Sequence, residues 1–286
     1  MSLVTRRRVL TGLGATAAAV LAPPVGSAFA SGRKHGPRPL WRAHAHNDYE
    51  HPRPLLDALD HRFGSVEADI FLVDGRLLVA HSADRLDPTR TLESLYLAPL
   101  AARVKAGHGS VYRGHQKPFQ LLIDIKTEGS STYLELARRL ERYKGLFTTY
   151  AHGRVHPGPV TAVVSGDRAA RTPMEAQTVR RAFYDGRLAD LGTSASSFAS
   201  LISDNWTLNF TWLGVGAFPE PERQKLRRIV GTAHARGQQV RFWATPDLAG
   251  PARDALWAEL LAAGVDYLNT DDLAGLEAFL DARGVV

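Results

Sequence analysis

From Leu40 to the end of the chain, short apolar runs alternate with longer stretches whose apolar residues recur at helical spacing. The runs predict strands at Leu40–His46, Ser65–Leu72, Phe119–Lys126, Val160–Ser165, Ala182–Asp185, Ser200–Ser203, Gln239–Ala244 and Val265–Thr270. Helices are expected between them. Thr91 suits the cap of one carrying Leu92, Leu95 and Tyr96, and Ser130 or Ser131 the cap of one carrying Leu134, Ala137 and Leu140. Pro221 and Pro251 fit the first turns of two more. Asp74-Gly75 supplies the positive φ of a hairpin turn, which returns Leu77–His81 as an added strand beside the second one. Eight β-then-α units over residues 40–286 predict a single-domain α/β fold, a (β/α)₈ TIM barrel. An open doubly wound sheet is the alternative, and in either fold sites form where strands end and loops begin.

The N-terminal 30 residues break this pattern. A basic start, a weakly apolar stretch from Val9 to Ala22 and the small-x-small triplet Ala28-Phe29-Ala30 predict a signal peptide cleaved near Ala30. Thr5-Arg6-Arg7-Arg8-Val9-Leu10 resembles the twin-arginine export motif, so residues 1–30 are expected to direct export, with residues 31–39 a polar tether. The formal charge of +6 drops to about +3 once Arg6, Arg7 and Arg8 are set aside. With basic residues scattered among acids, no nucleic-acid partner is expected. The chain has no cysteine, which excludes disulfides, thiol nucleophiles and cysteine-ligated zinc. A monomer is expected.

Charged residues stand at strand ends where a buried strand should carry none. Glu67 and Asp69 lie two apart in SVEADIF and face one way; Asp124 and Lys126 do the same in LLIDIKTE. Such groups must be compensated by each other or by an ion. Three carboxylates suit one hard divalent cation, Mg²⁺ or Ca²⁺, leaving Lys126 to hold an anionic substrate oxygen. A metal-free ion-pair network is the alternative. His46 ends the first strand and His81 the hairpin's return strand, and imidazoles beside a metal suit a paired general acid and base. His44-Ala45-His46 also resembles the start of a multi-histidine amidohydrolase site. The later histidines that such a site needs are missing, because His234 falls in a predicted helix.

His46, Glu67-Ala68-Asp69, Asp74-Gly75, Leu78-Val79-Ala80-His81 and Asp124-Ile125-Lys126 together resemble the PLC-like phosphodiesterase superfamily. Its members include glycerophosphodiester phosphodiesterases, phosphatidylinositol-specific phospholipases C and sphingomyelinases D. The string HAHNDYEHPRPLLDAL followed by SVEADIFLVDG is most similar to the altered-inheritance-of-mitochondria protein 6 branch. The resemblance implies a distorted (β/α)₈ barrel with His46 and His81 catalytic and Glu67, Asp69 and Asp124 around one divalent ion. It also implies that Lys126 touches phosphate, that Trp243 lines the pocket, and that a substrate hydroxyl attacks to give a cyclic phosphate. Two departures stand out. Asn47-Asp48 replace the Arg-Gly usual in glycerophosphodiesterases, and the interval from His81 to Asp124 is short, as in sphingomyelinase D.

The expected function is therefore an exported phosphoric diester hydrolase acting on a phosphodiester small molecule or lipid headgroup. The alternative is a non-catalytic exported barrel that binds a phosphorylated ligand or surface partner. Trp206, Phe210, Trp212 and Phe218 in one long loop suit either local packing or transient membrane-surface contact. His44 is expected in the core and His51 at the surface, just before a helix starting near Pro52.

Overall fold

The computed structural model describes residues 38–285, so the expected signal peptide and residues 31–37 of the tether lie outside the described residues. The strands are β1 (Leu40–Ala45), β2 (Phe63–Val73), β3 (Arg76–Val79), β4 (Phe119–Ile125), β5 (Thr149–Ala151), β6 (Arg154–His156), β7 (Val160–Gly166), β8 (Val179–Arg180), β9 (Ala182–Gly186), β10 (Leu201–Asn205), β11 (Gln239–Trp243) and β12 (Leu268–Thr270). Eight of these run parallel in the order β1-β2-β4-β7-β9-β10-β11, with β12 on the other side of β1. A bridge from Arg241 to Tyr267 brings β11 to the start of β12 and nearly closes the ring. Strand order in space follows chain order, each β-then-α unit adding its strand beside the last, as in a TIM barrel. The fold is the predicted α/β TIM barrel.

The helices are α1 (Leu56–Asp60), α2 (Ala98–Ala106), α3 (Gly129–Arg142), α4 (Arg171–Glu175), α5 (Trp206–Asn209), α6 (Glu220–His234), α7 (Pro251–Ala263) and α8 (Leu273–Asp281). The main apolar core lies outside the ring: Val66, Ala68, Ile70, Leu121, Ile123 and Val164 meet Leu136, Leu140, Leu226, Leu256 and Leu276 of the helices. Alternate residues of the same strands point into the barrel. There Leu122, Val163, Leu201 and Tyr267 form a separate small apolar cluster. Two residues further along β4, β7 and β10 stand Asp124, Ser165 and Ser203, so the interior turns polar towards the C-terminal ends of the strands.

The hairpin forms as predicted: β3 pairs antiparallel with β2, and Asp74 and Gly75 both take positive φ. Several local expectations are corrected. Glu128, rather than Ser130 or Ser131, caps α3, because its carboxylate accepts from both serine amides at 2.8 Å. Thr91 accepts from Ser94 N as expected, but the turn it starts is π-helical over Glu93–Leu97 before α2 begins. His51 is only half-exposed, and the helix after it starts at Leu56 instead of Pro52. Trp206, Phe210, Trp212 and Phe218 are all buried. Their rings stack at 4.1 Å (Trp206 on Phe210) and 4.6 Å (Trp212 on Phe218), so these four are local packing and offer no ring to a membrane.

Candidate active site

Ladder register builds the site. Glu67 and Asp69 lie on one face of β2, and Asp69 stands opposite Asp124 in the parallel β2–β4 pairing. One residue past each strand the ladder still holds, with His46 N bonded to Thr270 O and Lys126 N to Ile70 O, both at 2.9 Å. A cleft of about 340 Å³ opens at this end of the barrel, lined by His46, Asn47, Glu67, His81, Asp124, Lys126, Ser165, Gly166, Arg187, Arg241 and Trp243. It gathers every predicted site residue except Asp69, which is buried beside it with 1% of its surface exposed.

The two histidines are tied in the same way. Nδ1 of His46 meets Asp271 Oδ1 at 2.9 Å, and Nδ1 of His81 meets the Tyr49 hydroxyl at 3.1 Å. In each ring Nε2 is the nitrogen left for a ligand. Tyr49 is the hub between them: its hydroxyl lies 2.6 Å from Asp69 Oδ2 and 2.7 Å from Asn47 Oδ1. Asn47 Nδ2 completes the link by donating to Asp271, 3.3 Å from both of its oxygens. Asn47 has φ 45 and ψ 34, a left-handed conformation that asparagine tolerates better than most residues. Asp48 turns inward, where its Oδ2 accepts from Leu55 N at 2.6 Å and from the Tyr96 hydroxyl at 2.8 Å. The Asn47-Asp48 pair thus ties the two histidines together and anchors the loop after β1.

The carboxylates are compensated by neighbouring cations. Arg241 Nη1 donates to Glu67 Oε2 at 2.7 Å and to His44 Nε2 at 2.5 Å. His44 must therefore carry its proton on Nδ1 and donate to Ser65 Oγ at 2.7 Å, the buried supporting role expected of it. Burial, with the Arg241 charge, lowers the His44 pKa to about 4 and keeps it neutral. Lys126 Nζ lies 2.5 Å from Asp124 and 3.0 Å from Asp69. Burial opposes its charge, but the two carboxylates raise its pKa. Burial and the Glu67 charge raise Asp69 to about 7, and Asp124 is raised for the same reasons. Burial also opposes charge on His46, yet its bond to Asp271 and the charges of Glu67 and Asp271 outweigh that and raise its pKa.

Among the described residues no group of three or more His, Cys, Asp or Glu side chains is drawn tightly enough to hold a metal as it stands. The donor chemistry nevertheless fits a hard divalent cation. Three carboxylates crowd one strand end, and Asp69 Oδ1 is buried with no hydrogen-bond partner.

Sequence reasoning missed Arg241, Arg187, Tyr49 and Asp271. Arg241 carried the same signal as Glu67, a charge inside an apolar strand (QVRFW). The others sit at loop positions where a charged or aromatic residue is ordinary.

A parallel barrel with a polar cleft at the C-terminal ends of its strands defines an enzyme-like α/β scaffold, and comparison with known proteins narrows it. Residues 38–185 match the AIM6-like phosphodiesterase domain, and residues 239–274 match the glycerophosphoryl diester phosphodiesterase family. The chain belongs to the AIM6-like phosphodiesterase family, as the resemblance implied. It is similar to altered inheritance of mitochondria protein 6 from Eremothecium gossypii, at 31% identity over 84% of this chain and 69% of that one. The homolog from Arthroderma benhamiae is 28% identical over 82% of both chains, and the Saccharomyces cerevisiae protein is 26% identical over 87% of this chain and 73% of its own. These matches correct the expectation of export: the relatives' shared name refers to the inheritance of an organelle inside the cell, and residues 1–30, on which export was argued, lie outside the described residues.

Proposed function

We propose that this chain is a metal-dependent phosphoric diester hydrolase that acts on a glycerophosphodiester or phospholipid-type substrate in the cleft. What carries the reading is the pair His46 and His81 on one cleft, each tied through Nδ1, with Lys126, Glu67 and Asp124 lining the same cleft and Asp69 buried beside it. In this reading one histidine removes the proton of the nucleophile, a neighbouring substrate hydroxyl or water, and the other protonates the leaving alkoxide. Lys126 contacts a non-bridging phosphate oxygen, and Trp243 forms a wall of the substrate site. Glu67, Asp69 and Asp124 would hold one divalent cation, Mg²⁺ or Ca²⁺, which when bound offsets the charge that builds on the phosphoryl oxygens.

The test is turnover of a panel of glycerophosphodiesters and phospholipids with Mg²⁺ or Ca²⁺ added. His46→Ala and His81→Ala are each expected to lower kcat by about 10²- to 10⁴-fold with the far-UV spectrum unchanged. Near-wild-type turnover by either variant overturns the acid/base pair. Binding of phosphorylated ligands without turnover of any diester favours a non-catalytic binding barrel instead.

A further inference from the structure

The cleft has two chemically different walls. His46, Asn47, Glu67, His81, Asp124 and Lys126 come from the β1 to β4 side; Ser165, Gly166, Arg187, Arg241 and Trp243 come from the β7 to β11 side. On the second wall Asp185 is fully buried. Its Oδ2 accepts from Ser165 Oγ at 2.7 Å, Ser203 Oγ at 2.7 Å and Arg187 Nη1 at 2.8 Å, while its Oδ1 has no partner. A carboxylate so placed needs its counter-ion, so Arg187 cannot swing away without leaving a buried charge unpaired. Arg187 Nη1 also approaches Ser203 Oγ at 3.2 Å and Ser203 O at 3.5 Å, Nη2 approaches Ser165 Oγ at 3.4 Å, and the backbone N donates to Asp190 Oδ2 at 2.9 Å. The guanidinium is thereby fixed in place, yet 26% of the side chain remains exposed and it lines the cleft.

The other cations of the cleft belong to the first wall's carboxylates, and Lys126 among them is the one given above to the phosphate. Arg241 is held by Glu67, both almost wholly buried, and Lys126 by Asp69 and Asp124. Among the described residues no carboxylate lines the cleft on this second side, where Asp185 is fully buried. That wall presents a planar five-donor cation whose free N–H groups match the geometry of a carboxylate or phosphate and have no acceptor to meet on a quaternary ammonium. Trp243 is the one lining group there with an affinity for an ammonium headgroup, through its ring face.

We propose that Arg187, held by Asp185, is a specificity-determining residue that selects phosphodiesters whose headgroup bears a second anionic group and disfavours choline-type headgroups. The inference rests on the phosphodiester reading of the cleft, but binding measurements test it without turnover. Calorimetric titration of the full chain in Mg²⁺ compares 3-phosphoglycerate, which has a phosphate and a carboxylate, with glycerol 3-phosphate and phosphocholine, which lack the second anion. The expected order is 3-phosphoglycerate tightest, by about tenfold or more over glycerol 3-phosphate, and phosphocholine weakest. Arg187→Lys, which keeps the charge but loses the fork, and the charge-neutral pair Asp185→Asn with Arg187→Gln, which spares the fold an unpaired carboxylate, are each expected to bring the first two ligands within about threefold. Arg168→Ala is the control, since Arg168 bonds the Asp185 carbonyl but does not line the cleft; it should keep the preference. Equal affinities in the wild type, tightest binding of phosphocholine, no binding of any of the three, or a preference that survives both Arg187 variants overturns the proposal. Absence of turnover on every diester overturns the hydrolase reading alone.

Discussion

Asp271 bonds the ring nitrogen of His46 that faces away from the cleft, so its carboxylate both orients the imidazole and favours the protonated ring. Asp271→Asn keeps a similar shape but removes the charge. The pH–rate limb belonging to His46 is expected to move to lower pH and kcat to fall by about tenfold or more; an unmoved limb would remove Asp271 from the proposed machinery. Asp48 makes a separate prediction about stability. Burial raises its pKa to about 7 from 3.8, despite the Leu55 amide and the Tyr96 hydroxyl. Between those values the folded chain binds a proton that the unfolded chain has lost, so the stability Asp48 contributes is fully present below about pH 4 and lost as pH rises through 7. Asp48→Asn should therefore gain stability over the wild type at pH 8, by up to about 4 kcal/mol, and show no gain at pH 4 in urea titrations. His46, Glu67, Asp69, His81, Asp124 and Lys126 were legible as residues because charge or imidazole at the end of an apolar strand violates the strand's own pattern. Tyr49 and Asp48 violate nothing locally, and only packing reveals that one joins the histidines and the other anchors their loop.

At the scale of elements, β4 and β7 approach so closely that Gly166 has no room for a side chain. Its φ is +83, and a Cβ there would lie 2.3 Å from Ile125 O and 2.4 Å from Ile125 N. Both contacts are backbone and cannot yield cheaply, so Gly166→Ala is expected to cost about 2 kcal/mol or more, read as a fall in the denaturation midpoint with the m-value unchanged. Gly166 also lines the cleft. The strands and the Asp74-Gly75 hairpin were readable because short apolar runs and a positive-φ dipeptide are local signals. The aromatic loop after β10 was not. Its four rings look exposed in a loop-like sequence, but the chain folds back so that Trp206 also meets Phe242 of β11 edge-on at 5.4 Å. The aliphatic residues of that segment, Leu208, Leu213 and Val215, are the ones left exposed.

At the scale of the whole molecule, the three carboxylates come together only when the barrel folds, so a divalent ion held by them would be a ligand of the folded chain alone. Under the proposed metal site, Mg²⁺ or Ca²⁺ at about a hundred times its dissociation constant should add about 2.7 kcal/mol to the unfolding free energy, and excess chelator should abolish turnover. A melting temperature indifferent to both ions, with activity undiminished in chelator, would sink the metal. The sequence by itself determined the succession of β-then-α units, the hairpin and the positions of the strand-end histidines, carboxylates and lysine, because each follows from periodicity or from a charge placed where a strand should be apolar; closure of the sheet into a barrel rather than an open one did not follow from pattern alone. Only the tertiary structure decided which cations compensate which carboxylates. Closing the ring brings Arg241 of β11 to Glu67 of β2, far apart in the chain, and seats Arg187 on Asp185 at the cleft wall. Those pairings depend on the register and closure of the sheet, which no local window of sequence contains.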